Sequence, residues 1–135
     1  MLSARERLLK VLAAVVGIVA ALHLTASIFD LYWRLWWLDI PAHLLGGIFA
    51  GLLAVWILFF SGYLPPRAPS WRALFSSAIL GAIIIGAGWE VFERMLGLVA
   101  SPFFGYALDT AKDLLVDTLG GFAAALFLAR HFSDI

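Results

Sequence analysis

The chain has 135 residues, of which 64% are hydrophobic and 13% charged, with mean hydropathy +1.00. Soluble domains carry about a quarter charged residues, so this composition excludes an ordinary soluble globule and points to one integral membrane domain spanning residues 1–135. Net charge is zero, which gives no reason to expect nucleic acid, and cysteine is absent, which excludes disulfides, thiolate metal sites and a cysteine nucleophile.

Apolar segments of about 20 residues cross a bilayer as helices, and four occur in order. The first covers residues 8–29. Its basic leader, "ARERLLK", also suits a secretory signal, but the apolar run is long and no small-x-small cleavage site follows, so it reads as a retained span. Next comes "DLYWRLWWLD", an aromatic amphipathic link suited to the lipid–water boundary. The second span covers residues 40–60, and the proline-rich "SGYLPPRAPSWR" breaks the chain before the third, residues 73–92. The connection to the fourth, residues 113–132, is longer and still apolar, so it is expected to lie on the surface or re-enter slightly. The expected architecture is all-α, a four-transmembrane-helix bundle.

Lys and Arg in the short connections set direction. Arg5, Arg7, Lys10, Arg67, Arg72 and Arg130 fall on one side; Arg34, Arg94 and Lys112 fall on the other. This predicts an N-in, C-in topology in the cytoplasmic (inner) membrane of the cell.

On that topology the acids converge. Asp39 and His43 open span two, Glu90 and Glu93 close span three, and Asp109, Asp113 and Asp117 run into span four, all on the outer side. Glu6 and Asp134, near the chain ends, are the acids of the other side. Four residues of helix rise about 6 Å, which places His43, Glu90 and Asp117 in an inner ring, with Asp39, Glu93 and Asp113 nearer the water. Residues four apart share a face, and Gly46, Gly47, Ala50, Gly86, Gly120 and Gly121 continue the same stripes. Small residues let membrane helices pack closely, so the polar faces are expected to point into the bundle.

Plainer readings stand beside this one. Asp39 and Asp109 both suit helix caps, and Glu93 with Arg94 suits an interfacial ion pair. His23 could join the cluster, but a lone histidine suits a bond to a backbone carbonyl, and His131 suits an interfacial position. Most of the tryptophans suit a boundary belt, with Trp89 placed to wall the cluster. Glu90, Asp113 and Asp117 have the weakest such alternatives, because caps and rim pairs do not require burial and ionisable residues inside a membrane mark function by default.

The ordered motifs "LDIPAHLLGG", "WEVFER" and "DLLVDTLGG" resemble the YjdF-like and VanZ-like small integral membrane proteins across spans two to four. The resemblance implies the helical architecture and the site. It implies no general reaction, and Asp117 stands where VanZ-like members often have asparagine.

One imidazole among carboxylates suits a hard or borderline divalent cation, Mg, Mn, Fe or Zn. The expected ligands are His43, Glu90, Asp113 and Asp117, with Glu93 or Asp39 as catalytic base or outer support. Near the headgroups, the expected function is binding or metal-dependent hydrolysis of an envelope lipid or lipid-linked phosphate. The alternatives are a non-catalytic lipid- or glycolipid-binding protein and a proton- or cation-coupled transporter; against transport, the cytoplasmic halves of the spans lack matching acids. Membrane lipids are the expected partners, and a homo-oligomer is compatible with the pattern.

Overall fold

A computed structural model of the chain describes residues 3–65, 69–97 and 105–132. Arg67, Asp134 and the apolar connection over residues 98–104 lie outside the described residues. Those described contain helices and no strands. They form α1 (Ala4–Ile28), the short α2 (Leu31–Arg34), α3 (Asp39–Val55) extended by a π-helical turn (Trp56–Phe60), α4 (Trp71–Leu96) and α5 (Tyr106–His131).

Local chemistry accounts for the ends. Ser3 and Glu6 form a reciprocal capping box on α1, with Glu6 Oε2 accepting from Ser3 N at 2.8 Å. Asp30 adopts the left-handed region, φ 53°, which turns the chain out of α1 into α2. Pro41 falls in the first turn of α3, where a missing N–H costs nothing. The π turn after Val55 is closed by Ser61 N donating to Trp56 O at 2.8 Å. Ser70 caps α4 through Ala73 N, and Gly97 ends it at φ 67°.

α3, α4 and α5 pack on one another in alternating direction, and α1 packs chiefly on α3. Burial follows a one-turn repeat: Leu74, Ala78, Ala82, Gly86 and Glu90 on α4, and Asp109, Asp113, Asp117, Gly121, Ala125 and Leu128 on α5. The aspartate row is therefore the upper part of the inward stripe whose lower part is alanine and leucine. One end of the bundle is apolar, built from Leu8, Leu12, Leu52, Val55, Leu74, Ala124, Leu128 and their neighbours. The other end holds the buried His43, Glu90, Asp109, Asp113 and Asp117.

Glycine makes the α3–α5 crossing close. A Cβ on Gly120 would meet the Leu44 carbonyl oxygen, Ile48 N at 2.7 Å and Gly47 C at 2.9 Å; a Cβ on Gly47 would meet the Asp117 carbonyl oxygen. Lipid supplies no hydrophobic force between helices, so such backbone approach, with its van der Waals contact, holds them together.

α1, the continuous helix Asp39–Phe60 and α4 are each long and apolar enough to cross a membrane. At 26 residues α5 is equally long, but its first half carries Asp109, Lys112, Asp113 and Asp117. Sequence placed its start at Asp113, whereas the helix begins at Tyr106 with Gly105 as N-cap. The discrepancy has a physical source: apolar content reports contact with lipid, while a helix continues through a polar segment that its neighbours cover.

Candidate functional site

His43 is the hub of the polar end. Its Nε2 faces Asp39 Oδ1 at 3.5 Å, Asp113 Oδ2 at 3.9 Å and Glu90 Oε1 at 4.0 Å. On the other side of the ring, Nδ1 lies 3.4 Å from Asp117 Oδ2. Three helices thus supply four carboxylates around one buried imidazole. Asp39 reaches His43 from one turn earlier on α3, while Glu90, Asp113 and Asp117 arrive on the inward stripes of α4 and α5.

Each neighbour has a support. Thr110 Oγ1 donates to Glu90 Oε2 at 2.7 Å, which leaves Oε1 turned toward His43. The Lys112 ammonium donates to Asp39 Oδ2 and Asp109 Oδ1, both at 2.9 Å, and lies 3.1 Å from Asp113 Oδ1. Gly86 makes room for Asp117, because a Cβ there would meet its carboxylate oxygen Oδ2. Tyr32 Oη and His23 Nδ1 are 3.1 Å apart at the mouth, where His23 also meets Trp89 edge-on at 5.9 Å between centroids. Burial, reinforced by Asp39 and Glu93, pushes the Tyr32 phenol up to about 12, so it keeps its proton at neutral pH.

These groups line one cavity of about 590 Å³ that extends from Asp109 and Glu93 down to Val16. Seven carboxylates line it (Asp30, Asp39, Glu90, Glu93, Asp109, Asp113 and Asp117), against one lysine and the imidazoles of His23 and His43. Such an excess of negative charge away from water requires protons or a bound cation. Two buried acceptors, Glu90 Oε1 and Asp113 Oδ1, have no hydrogen-bond partner, the Lys112–Asp113 contact being an ion pair only. Ligand atoms of Asp39, His43 and Asp113 lie within 4.8 Å of one another, and so do those of His43, Glu90 and Glu93. That spacing is what a cation with bonds of about 2.0–2.2 Å draws together.

The expected cluster therefore assembles, with differences in detail. Asp117 joins neither of the two groups and sits at Nδ1 instead, the position of a residue that orients the ring. Asp109 is not a cap: Gly105 holds that position, and Asp109 is buried against Lys112. Asp39 is likewise the first residue inside α3 rather than its cap. Arg94 lies over the Tyr106 ring, 4.0 Å from its centroid, so the expected pairing with Glu93 gives way to a cation–π contact. His23 bonds to a phenol, not a backbone carbonyl. His131, exposed, holds Phe127 O at 3.0 Å, and Trp89 does wall the cavity.

Lys112 and Arg94 are the cations that the sequence offers to pair with the carboxylates; that Lys112 bridges three of them, and that Thr110 holds Glu90, is not legible there. Thr110 had one signal: it lies three residues before Asp113, on the same helical face. Lys112 had a weaker one, three residues after Asp109, and its long stem lets the ammonium swing to Asp39 and Asp113.

The fold and site define a helical membrane protein with a buried His/Asp/Glu cluster able to hold a metal ion. The chain belongs to the family described as predicted membrane protein DUF2238, whose model matches residues 2–134. Comparison with curated proteins and with solved structures gives no match.

Proposed function

We propose that the polar end of the bundle is a divalent-cation site that binds, and in its enzymatic form hydrolyses, an envelope lipid or lipid-linked phosphate. The observation that carries this reading is His43 Nε2 facing the carboxylates of Asp39, Glu90 and Asp113 at 3.5–4.0 Å, with Glu90 Oε1 buried and accepting no hydrogen bond. A neutral imidazole with its Nδ1 proton directed to Asp117 presents the Nε2 lone pair to a metal, the arrangement usual for metal-bound histidine.

His43, Glu90 and Asp113 are the proposed ligands with Asp39 at the rim, and Mg, Mn, Fe or Zn suits this donor set. The cation would supply Lewis acidity toward a phosphoryl or carbonyl oxygen. Lys112 fixes the outer oxygens of Asp39 and Asp113, and Asp117 orients the ring. Glu93, beside His43 and Glu90, is the proposed base.

The same reading takes α5 as a fourth span, with Arg5, Arg7, Lys10, Arg72 and Arg130 at the cytoplasmic end. Those five residues lie near the ends of α1, α4 and α5 that meet around the apolar core, opposite the carboxylate cavity.

Metal analysis of protein purified without chelator tests the proposal. Wild type is expected to hold about one divalent ion per chain, and Asp113→Asn at least tenfold less at equal free metal, within the range for loss of a ligand or its support. Equal, negligible metal in both proteins would refute it.

A further inference from the structure

Of the three helices apolar and long enough to cross a membrane, α1 is the least covered by the rest of the protein. Leu8 and Leu12 join the apolar core, and Ala26 is buried near the opposite end, yet no residue between 13 and 25 is buried. Along this stretch Val16, Val19, Ala20 and His23 recur at helical spacing and line the same cavity as the His43 cluster. Phe49 on α3 and Ile85 on α4 line it from across the gap.

The cavity thus has two parts. Its polar part is the carboxylate cluster. Its apolar arm descends between α1 and α4 from His23 to Val16, about 10 Å along the helix. Unfilled apolar space is unfavourable, since lining atoms without neighbours lose their dispersion contacts. Val16 and Ile85 are each 42% exposed, and the adjoining outer faces carry Ile18 at 55% and Ile84 at 68%. The arm therefore opens sideways between two apolar faces of helices suited to cross a membrane. At that depth the available neighbour is hydrocarbon.

We infer that the groove between α1 and α4 receives one hydrocarbon chain of a lipid whose phosphate-bearing headgroup lies at the His43 cluster. The headgroup assignment rests on the divalent-cation reading, whereas the chain assignment rests on the groove. Polar and apolar parts are joined as they are in an amphiphile, and a volume of about 590 Å³ is that of a ligand site rather than a packing defect. A water-soluble phosphate would leave the apolar arm empty. His23, joined to Tyr32 and Trp89, lies at the upper end of the arm, at the mouth of the polar chamber.

Detergent-purified protein is titrated with hexadecyl phosphate or with methyl phosphate, followed by native mass spectrometry, with metal content measured on the same samples. Wild type is expected to retain hexadecyl phosphate and not methyl phosphate. Ala20→Trp, which fills the arm far from the carboxylates, is expected to weaken hexadecyl phosphate at least tenfold while the metal content stays the same. Val19→Phe is a smaller plug for use if Ala20→Trp fails to fold, with an expected loss of at least threefold. Equal retention by wild type and a folded plug variant, or equal retention of the two phosphates, would overturn the inference. A wild type that retains the chain in a plug-sensitive way but holds no metal would support the groove and refute the cation reading instead.

Discussion

Replacement of Lys112 by methionine is expected to lower the stability of the bundle by about 3 kcal/mol in chelator, the lower end of the range for breaking a buried ion pair from one side. The ammonium lies 2.9 Å from Asp39 Oδ2, 2.9 Å from Asp109 Oδ1 and 3.1 Å from Asp113 Oδ1. Methionine preserves much of the stem's volume, but leaves three carboxylates facing one another. The Lys112 side chain is 26% exposed, and the water that reaches it keeps the loss from the upper end of that range. The same change removes a positive charge from beside the proposed cation, so cation binding should tighten. Ligand stabilisation grows as RT ln(1 + [L]/Kd), so at one saturating Mn²⁺ concentration each tenfold of tightening stabilises the variant by about 1.4 kcal/mol beyond what wild type gains. The variant should therefore melt well below wild type in chelator and recover much of the difference with Mn²⁺. Thermal midpoints measured in both conditions check this. An unchanged midpoint in chelator would show that Lys112 does not hold the carboxylates.

Gly120→Leu is expected to cost at least 1–3 kcal/mol, the usual range for overpacking, and to abolish cation binding along with it. The first atoms a new Cβ meets are backbone atoms of Leu44, Gly47 and Ile48, and these cannot rotate aside. α3 and α5 must then separate, and with them His43 from Asp113 and Asp117. Gly88→Leu is the matched control. A Cβ at Gly88 meets nothing within 4 Å, and that residue is exposed, so its midpoint and metal content should stay near those of wild type. Equal behaviour of the two variants would mean that the α3–α5 crossing is not close.

The contrast between these residues explains how much the sequence disclosed. Gly120 was legible because it continues the Asp113–Asp117 stripe, and helical periodicity alone carries a stripe inward. The convergence of His43, Glu90, Asp113 and Asp117 followed from the same periodicity once alternating helices brought their ends to one level. Lys112 was illegible as a bridge because its stem, not its helical position, decides where the ammonium goes. Arg94 misled for the same reason: it had the same choice of acid or aromatic partner, and only the fold brings Tyr106 beneath it. Asp109 misled differently. A hydropathy boundary is not a helix boundary: α5 starts about two turns before its apolar run because its neighbours cover the polar turns. Asp117 kept its place in the site but changed its proposed role, since one bond, to Nδ1 rather than Nε2, separates a ligand from an orienting group.

The central claim is that His43 and its carboxylates hold a divalent cation. Its most direct measurement is anomalous scattering from crystals of the protein grown with Mn²⁺. The account predicts one strong peak bounded by His43 Nε2 and the carboxylate oxygens of Glu90 and Asp113, absent from crystals of Asp113→Asn. Density at that position with no anomalous signal at saturating Mn²⁺, or a peak located only elsewhere on the protein, would contradict it.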